Sequence, residues 1–80
     1  MLELDSSSVD TIDLTISRTV KAYLAFTGRS VPDFAARMEM SRQAVYARLA
    51  NETSWSADEV ARAARALDIP IAVLYSGIAA

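Results

Sequence analysis

Few side chains in this 80-residue chain can do chemistry, and the missing ones narrow the field first. There is no histidine and no cysteine, so disulfides, zinc or haem ligation, Ser-His triads and imidazole acid–base work lack their usual residues. Carboxylates are scattered and no glycine-rich phosphate loop is present. Serine, tyrosine and arginine remain, which puts catalysis last among the function classes; neither an enzyme nor a cofactor is expected. The arginines are less evenly spread. From Arg29 to Arg48 stand four arginines (Arg29, Arg37, Arg42, Arg48) against only Asp33 and Glu39, a local balance of +2. Glu3, Asp5, Asp10 and Asp13 crowd the N-terminus instead.

The whole chain carries a net charge of −2. That runs against polyanion binding, because neutralising phosphates supplies most nonspecific affinity. A basic face on an acidic protein reconciles the two, with nonspecific affinity weaker than usual. The length suits one small domain, which buries about 60–65% of its unfolded surface. With 52% of its residues hydrophobic, a packed core is expected. No apolar run approaches a membrane span and no signal-peptide layout opens the chain, so no membrane association is expected and the reading is of a soluble, intracellular protein.

The elements that must position these side chains are helices. Two glycines and two prolines leave few breaks. Ile12, Ile16, Val20, Tyr23, Leu24 and Thr27 recur at spacings of three and four, one face of a first helix that Gly28 stops. Ser30 caps a second helix, with Pro32 in its first turn and Phe34, Ala35 and Met38 facing inward. Ser41 caps a third, in which Val45 and Leu49 face the core, and Asn51 is its left-handed terminator. Trp55 anchors the loop that follows. Ser56-Ala57-Asp58-Glu59 reads as a capping box opening a fourth helix through Val60, Ala63, Ala64 and Leu67. Asp68 and Pro70 separate it from a fifth carrying Ile71, Val73, Leu74 and Tyr75 and ending at Gly77. Residues 1–10 read as a flexible arm and 11–80 as the domain.

The informative stretch is Val31 to Leu49. A short helix, a connection of about three residues and a second helix follow one another, with small Ala35 at the crossing and Met40 as an apolar plug. β-Branched Val45 faces back toward Phe34 and Ala35, and Leu49 closes the far end. This is the spacing of a helix-turn-helix, which holds its second helix proud of the surface.

Phe34 through Leu49 (Phe-Ala-Ala-Arg-Met-Glu-Met-Ser-Arg-Gln-Ala-Val-Tyr-Ala-Arg-Leu) resembles the helix-turn-helix of the phage Cro and repressor (XRE-type) family. The resemblance extends from Ile12 to Gly77 and implies a compact, all-α, five-helix domain of the lambda-repressor-like DNA-binding type. Two positions depart from it. Glu39 stands where the family usually has glycine, and a glutamate at positive φ costs about 1 kcal/mol. Val31 stands where the family favours a phosphate-clamping glutamine, leaving the backbone amides at that helix start to meet phosphate.

The resemblance implies a transcriptional repressor or regulator in a bacterial host cell, cytoplasmic and associated with the nucleoid. Its helix at about 42–50 would lie in the major groove of double-stranded DNA. Arg42, Gln43, Tyr46 and Ala47 become base readers: arginine forks onto guanine, glutamine onto adenine, and alanine meets a thymine methyl. Arg37, Ser41, Arg48, Asn51, Ser54 and Ser56 become phosphate contacts. Ile71, Leu74, Tyr75 and Ile78 become a homodimer interface, which would set two reading helices about 34 Å apart on a near-palindromic operator. The chain offers no room for a separate sensor, so no small-molecule ligand is expected. The rival expectation is a protein-binding module, such as an antitoxin or antirepressor on the same fold.

Overall fold

The computed structural model describes the backbone of residues 4–77 and the side chains of residues 11–77. Five helices follow one another: α1 (Leu4–Thr27), α2 (Val31–Met38), α3 (Arg42–Leu49), α4 (Ala57–Leu67) and α5 (Ile71–Ser76). Among the described residues there is no strand, so the all-α expectation holds.

Three serines start helices by the same device. Ser30, Ser41 and Ser56 have extended backbone, and each side chain accepts the amide proton of the residue three ahead, at 3.2, 3.1 and 3.1 Å. Each cap is worth about 1 kcal/mol. Ser56 completes a capping box, since the Glu59 carboxylate accepts the Ser56 amide at 3.1 Å. The helix ends are equally uniform. Gly28, Glu39, Asn51 and Asp68 are left-handed, with φ of 74°, 60°, 63° and 60°. After each, the next amide reaches back five residues (Arg29 to Leu24, Met40 to Ala35, Glu52 to Ala47, Ile69 to Ala64) and closes a Schellman turn. One of the four is glycine. The turn between α2 and α3 therefore keeps the geometry that glycine favours and bears the strain of a side chain at Glu39.

Ile16, Val20 and Leu24 of α1 meet Phe34, Ala35 and Met38 of α2, Val45 and Leu49 of α3, and Val60, Ala63, Ala64 and Leu67 of α4 in one core. Met40 packs at its edge as the expected plug. α1 lies against α3, α4 and α5, while α2 touches α3 and α4. α3 thus rests on α1 and α2 on α4, the two longer helices.

Three expectations need correction. The helical backbone begins at Leu4, so residues 4–10 continue α1, where an arm was expected; Met1–Glu3 lie outside the described residues. At 24 residues, α1 is about 36 Å long at 1.5 Å per residue. Ile12 is 56% exposed and Thr27 is exposed, so neither belongs to the inward face; the Thr27 hydroxyl instead donates to the Tyr23 carbonyl at 2.8 Å. Their places on that face are taken by Asp13 and Ser17, both buried.

Candidate nucleic-acid interface

Val45 and Leu49 are buried under α1 and α2, and that fixes which side of α3 meets solvent. Arg42 and Gln43 stand exposed on its first turn, Tyr46 is exposed one turn later, and Ala47 is half-buried beside them. Among the described residues, none of the first three side chains has a hydrogen-bonding partner, so a guanidinium, a carboxamide and a phenol project together. Guanidinium and carboxamide are the two groups that pair bidentately with purine edges. Ser41 is exposed at the head of this row. Its oxygen accepts the Ala44 amide, which leaves its hydroxyl proton to donate outward.

The expected phosphate contacts separate into groups. Arg37 is exposed on α2, with Nε 3.3 Å from the Asp33 carboxylate; an exposed pair of this kind is worth well under 1 kcal/mol and yields readily to a phosphate. Ser54 is exposed and without a side-chain partner among the described residues. Ser56 is exposed at the start of α4. Asn51 is half-buried, and its amide oxygen lies 3.0 Å from Ser17 Oγ, so its amide N–H group is what it can offer outward.

Arg48 does not belong with them. Its guanidinium turns onto α4, with Nε 3.0 Å and Nη2 2.9 Å from the two oxygens of Glu59, and Nη1 donates to the Ala44 carbonyl at 3.1 Å. The bidentate pair is mostly shielded, with 17% and 15% of the two side chains exposed. Arg48 is therefore a strut between α3 and α4, because the capping-box carboxylate lies within its reach. The hydrogen bond from Arg48, ahead of the Ser56 amide and the charges of Arg48 and Arg62, holds the Glu59 carboxyl below its ordinary range against the opposing effect of burial. Arg29 is likewise turned inward, donating to the Ala66 carbonyl.

Two open concavities flank this region. One, of about 350 Å³, is lined by Arg37, Glu39, Arg62, Arg65 and Ala66. Arg62 is tied to Asp58 at 2.7 Å and to the Met38 carbonyl at 2.9 Å, so carboxylates balance most of its charge. The other, of about 400 Å³, runs between Lys21 and Leu24 of α1, Val31 at the head of α2, and Tyr46, Leu49 and Ala50. Lys21 thus stands beside the outward row of α3. A lone exposed lysine on a long helix gives no sequence signal for such a role.

The expected dimer surface is reduced. Ile71 and Tyr75 are 41% and 47% exposed, but Leu74 is fully buried in its own core. A six-residue helix lying on α1 and α4 turns one large side chain fully inward, and Leu74 is that residue. Ile78 lies outside the described residues. Trp55 is buried, as its anchoring role requires. No helix of the described residues is long and apolar enough to cross a membrane.

Comparison with protein-family models, with curated proteins and with solved structures finds no match.

Proposed function

We propose that this chain is a sequence-specific double-stranded DNA-binding regulator of transcription, built on a Cro- or repressor-like helix-turn-helix made by α2 and α3. The observation that carries the reading is the uncommitted row of Arg42, Gln43 and Tyr46 on a helix seated by Val45 and Leu49. α3 lies in the major groove, Arg42 and Gln43 read purine edges, and Tyr46 and Ala47 fill the remaining contact surface. Ser41, Ser54, Ser56 and the amide of Asn51 meet phosphates, joined by Arg37 and Lys21. A homodimer joined through Ile71 and Tyr75 repeats this arrangement on a near-palindromic operator, in the cytoplasm of a bacterial host cell. Catalysis and a small-molecule effector have no part in the proposal.

Arg48 and Arg29 are turned inward, and the cations placed at or beside the reading helix (Lys21, Arg37, Arg42) give about three per protomer to displace counterions. The slope of log affinity on log salt should then be near −2.7 per protomer, well below that of proteins making 6–10 phosphate contacts. Fluorescence anisotropy of a labelled duplex across a salt series tests this. A binding signal insensitive to salt, or none at low salt, refutes it. The rival reading, a protein-binding module, draws support from Phe26, which is 85% exposed on the last turn of α1, and from the acidic balance of the chain. On that reading duplex DNA is not retained at any salt concentration.

A further inference from the structure

We infer that Ser17 and Asp13 of α1 are positioning residues that set the segment from Asn51 to Ser56, and with it the phosphate contacts that follow the reading helix. The inference rests on the DNA-binding reading above and extends it to two side chains that face away from any ligand.

Both residues are buried, and they lie one turn apart on the face of α1 turned toward the α3–α4 loop. The Ser17 hydroxyl donates to the Arg48 carbonyl at 2.8 Å, which also accepts the Asn51 amide at 3.0 Å. The Ser17 oxygen accepts the Trp55 indole N–H at 3.0 Å and has the Asn51 amide oxygen at 3.0 Å. Asp13 Oδ1 accepts the Trp55 backbone amide at 3.0 Å. One turn of α1 therefore grips Trp55 at its backbone and its indole, and holds the last turn of α3 through one oxygen. From the other side, the Arg48 guanidinium reaches Glu59, whose carboxylate accepts the Ser56 amide. The circuit runs from α1 to the end of α3, across to α4 and back through Trp55.

Residues 51–56 belong to no helix, so hydrogen bonds from outside decide their path. Packing alone would be served by an alanine at position 17 and any compact side chain at 13. A hydroxyl and a carboxylate are needed because the Trp55 indole N–H and backbone N–H converge there and cannot be buried unpaired. Asn51, Ser54 and Ser56 inherit their spacing from this clamp, and phosphate contacts carry binding energy only when their donors are held in register.

The experiment compares Ser17→Ala, Asp13→Ala and the acceptor-preserving Asp13→Asn with Val20→Ala, a core truncation on the same helix outside the circuit. All are measured at temperatures where circular dichroism reports a fully folded chain. Ser17→Ala and Asp13→Ala should weaken binding of a selected duplex by about five- to tenfold, and Asp13→Asn and Val20→Ala by less than about twofold. Phosphate-ethylation interference should fade opposite the loop while base preference stays unchanged. A second arm needs no DNA: amide hydrogen exchange across residues 51–56 should quicken about tenfold in Ser17→Ala and Asp13→Ala, and not in Val20→Ala. If the wild type fails to bind duplex DNA, the functional reading falls while the exchange arm still decides the clamp. If Ser17→Ala does not fold, the contrast between Asp13→Ala and Asp13→Asn decides it. Variants of the circuit that match Val20→Ala in exchange and affinity overturn the inference.

Discussion

Glu39→Gly should make this protein more stable, although it deletes a charge and loosens the unfolded chain. Glu39 closes α2 at φ 60°, ψ 42°, where a side chain costs about 1–2 kcal/mol. Its carboxylate makes no hydrogen bond among the described residues and contributes only a weak attraction to Arg62. Glycine removes the steric cost and returns about 0.5–1 kcal/mol of it as greater freedom in the unfolded state. The net gain is about 0.5–1 kcal/mol, or about 2–8 °C in the thermal midpoint of a domain this size. Urea denaturation followed by circular dichroism is the assay, with the midpoint rising and the slope unchanged. Ala36→Gly, three residues earlier and inside the helix, serves as the control and should lose about 1 kcal/mol. Asp68→Gly should gain less than Glu39→Gly, since aspartate tolerates the left-handed region better. If Glu39→Gly matches the wild type or unfolds earlier, the account of strain at this turn is wrong.

Other consequences are open to the same scrutiny. Because Arg48 lowers the Glu59 pKa in the folded chain, the pair's contribution is complete above the unfolded pKa and is lost as pH falls through the folded one. Acid unfolding below about pH 4.5 should therefore be less steep in Glu59→Gln, which is already deprived of the pair at neutral pH; an identical acid limb would remove the pair from the account. Leu74→Ala should cost about 2–5 kcal/mol by urea unfolding, as a fully buried leucine does, whereas Tyr75→Ala should leave monomer stability within about 0.5 kcal/mol and instead weaken self-association in sedimentation equilibrium. Equal effects from the two would contradict the assignment of one inward and one outward. Arg42→Ala should cost about 1–3 kcal/mol at one base position of a selected site, while Arg37→Ala weakens all sequences alike. Uniform loss from both would dissolve the division between readers and clamps.

Local chemistry was the legible part of this sequence. Ser30, Ser41 and Ser56 mark three helix starts because an N-cap needs only its own next three residues, and the inward faces of α2 and α4 follow from plain periodicity. α3 is barely amphipathic, since its outward row includes Tyr46 and its inward side includes Arg48, yet Val45 and Leu49 were enough to orient it. What the sequence hid is long-range. Ser17 finds its partners 31–38 residues away, and nothing near position 17 announces an indole or a helix-end carbonyl. One signal was available: Asp13, Ser17, Val20 and Leu24 fall on a single stripe, so the two polar members had to be buried with partners. The fate of Arg48 depended on Glu59 arriving beside it from the next helix. Leu74 depended on how a six-residue helix is rotated, which so short a segment cannot specify.

The central claim is that α3 reads duplex DNA through the side chains it turns away from the core. Selection of binding sites from a random duplex pool, run in parallel with wild type and Gln43→Ala, tests it most directly. The account predicts an enriched near-palindrome with half-sites one helical turn apart, and relaxed preference at one base pair per half-site in the variant. A wild-type pool that enriches no sequence, or a variant that selects the same site with the same stringency, would contradict it.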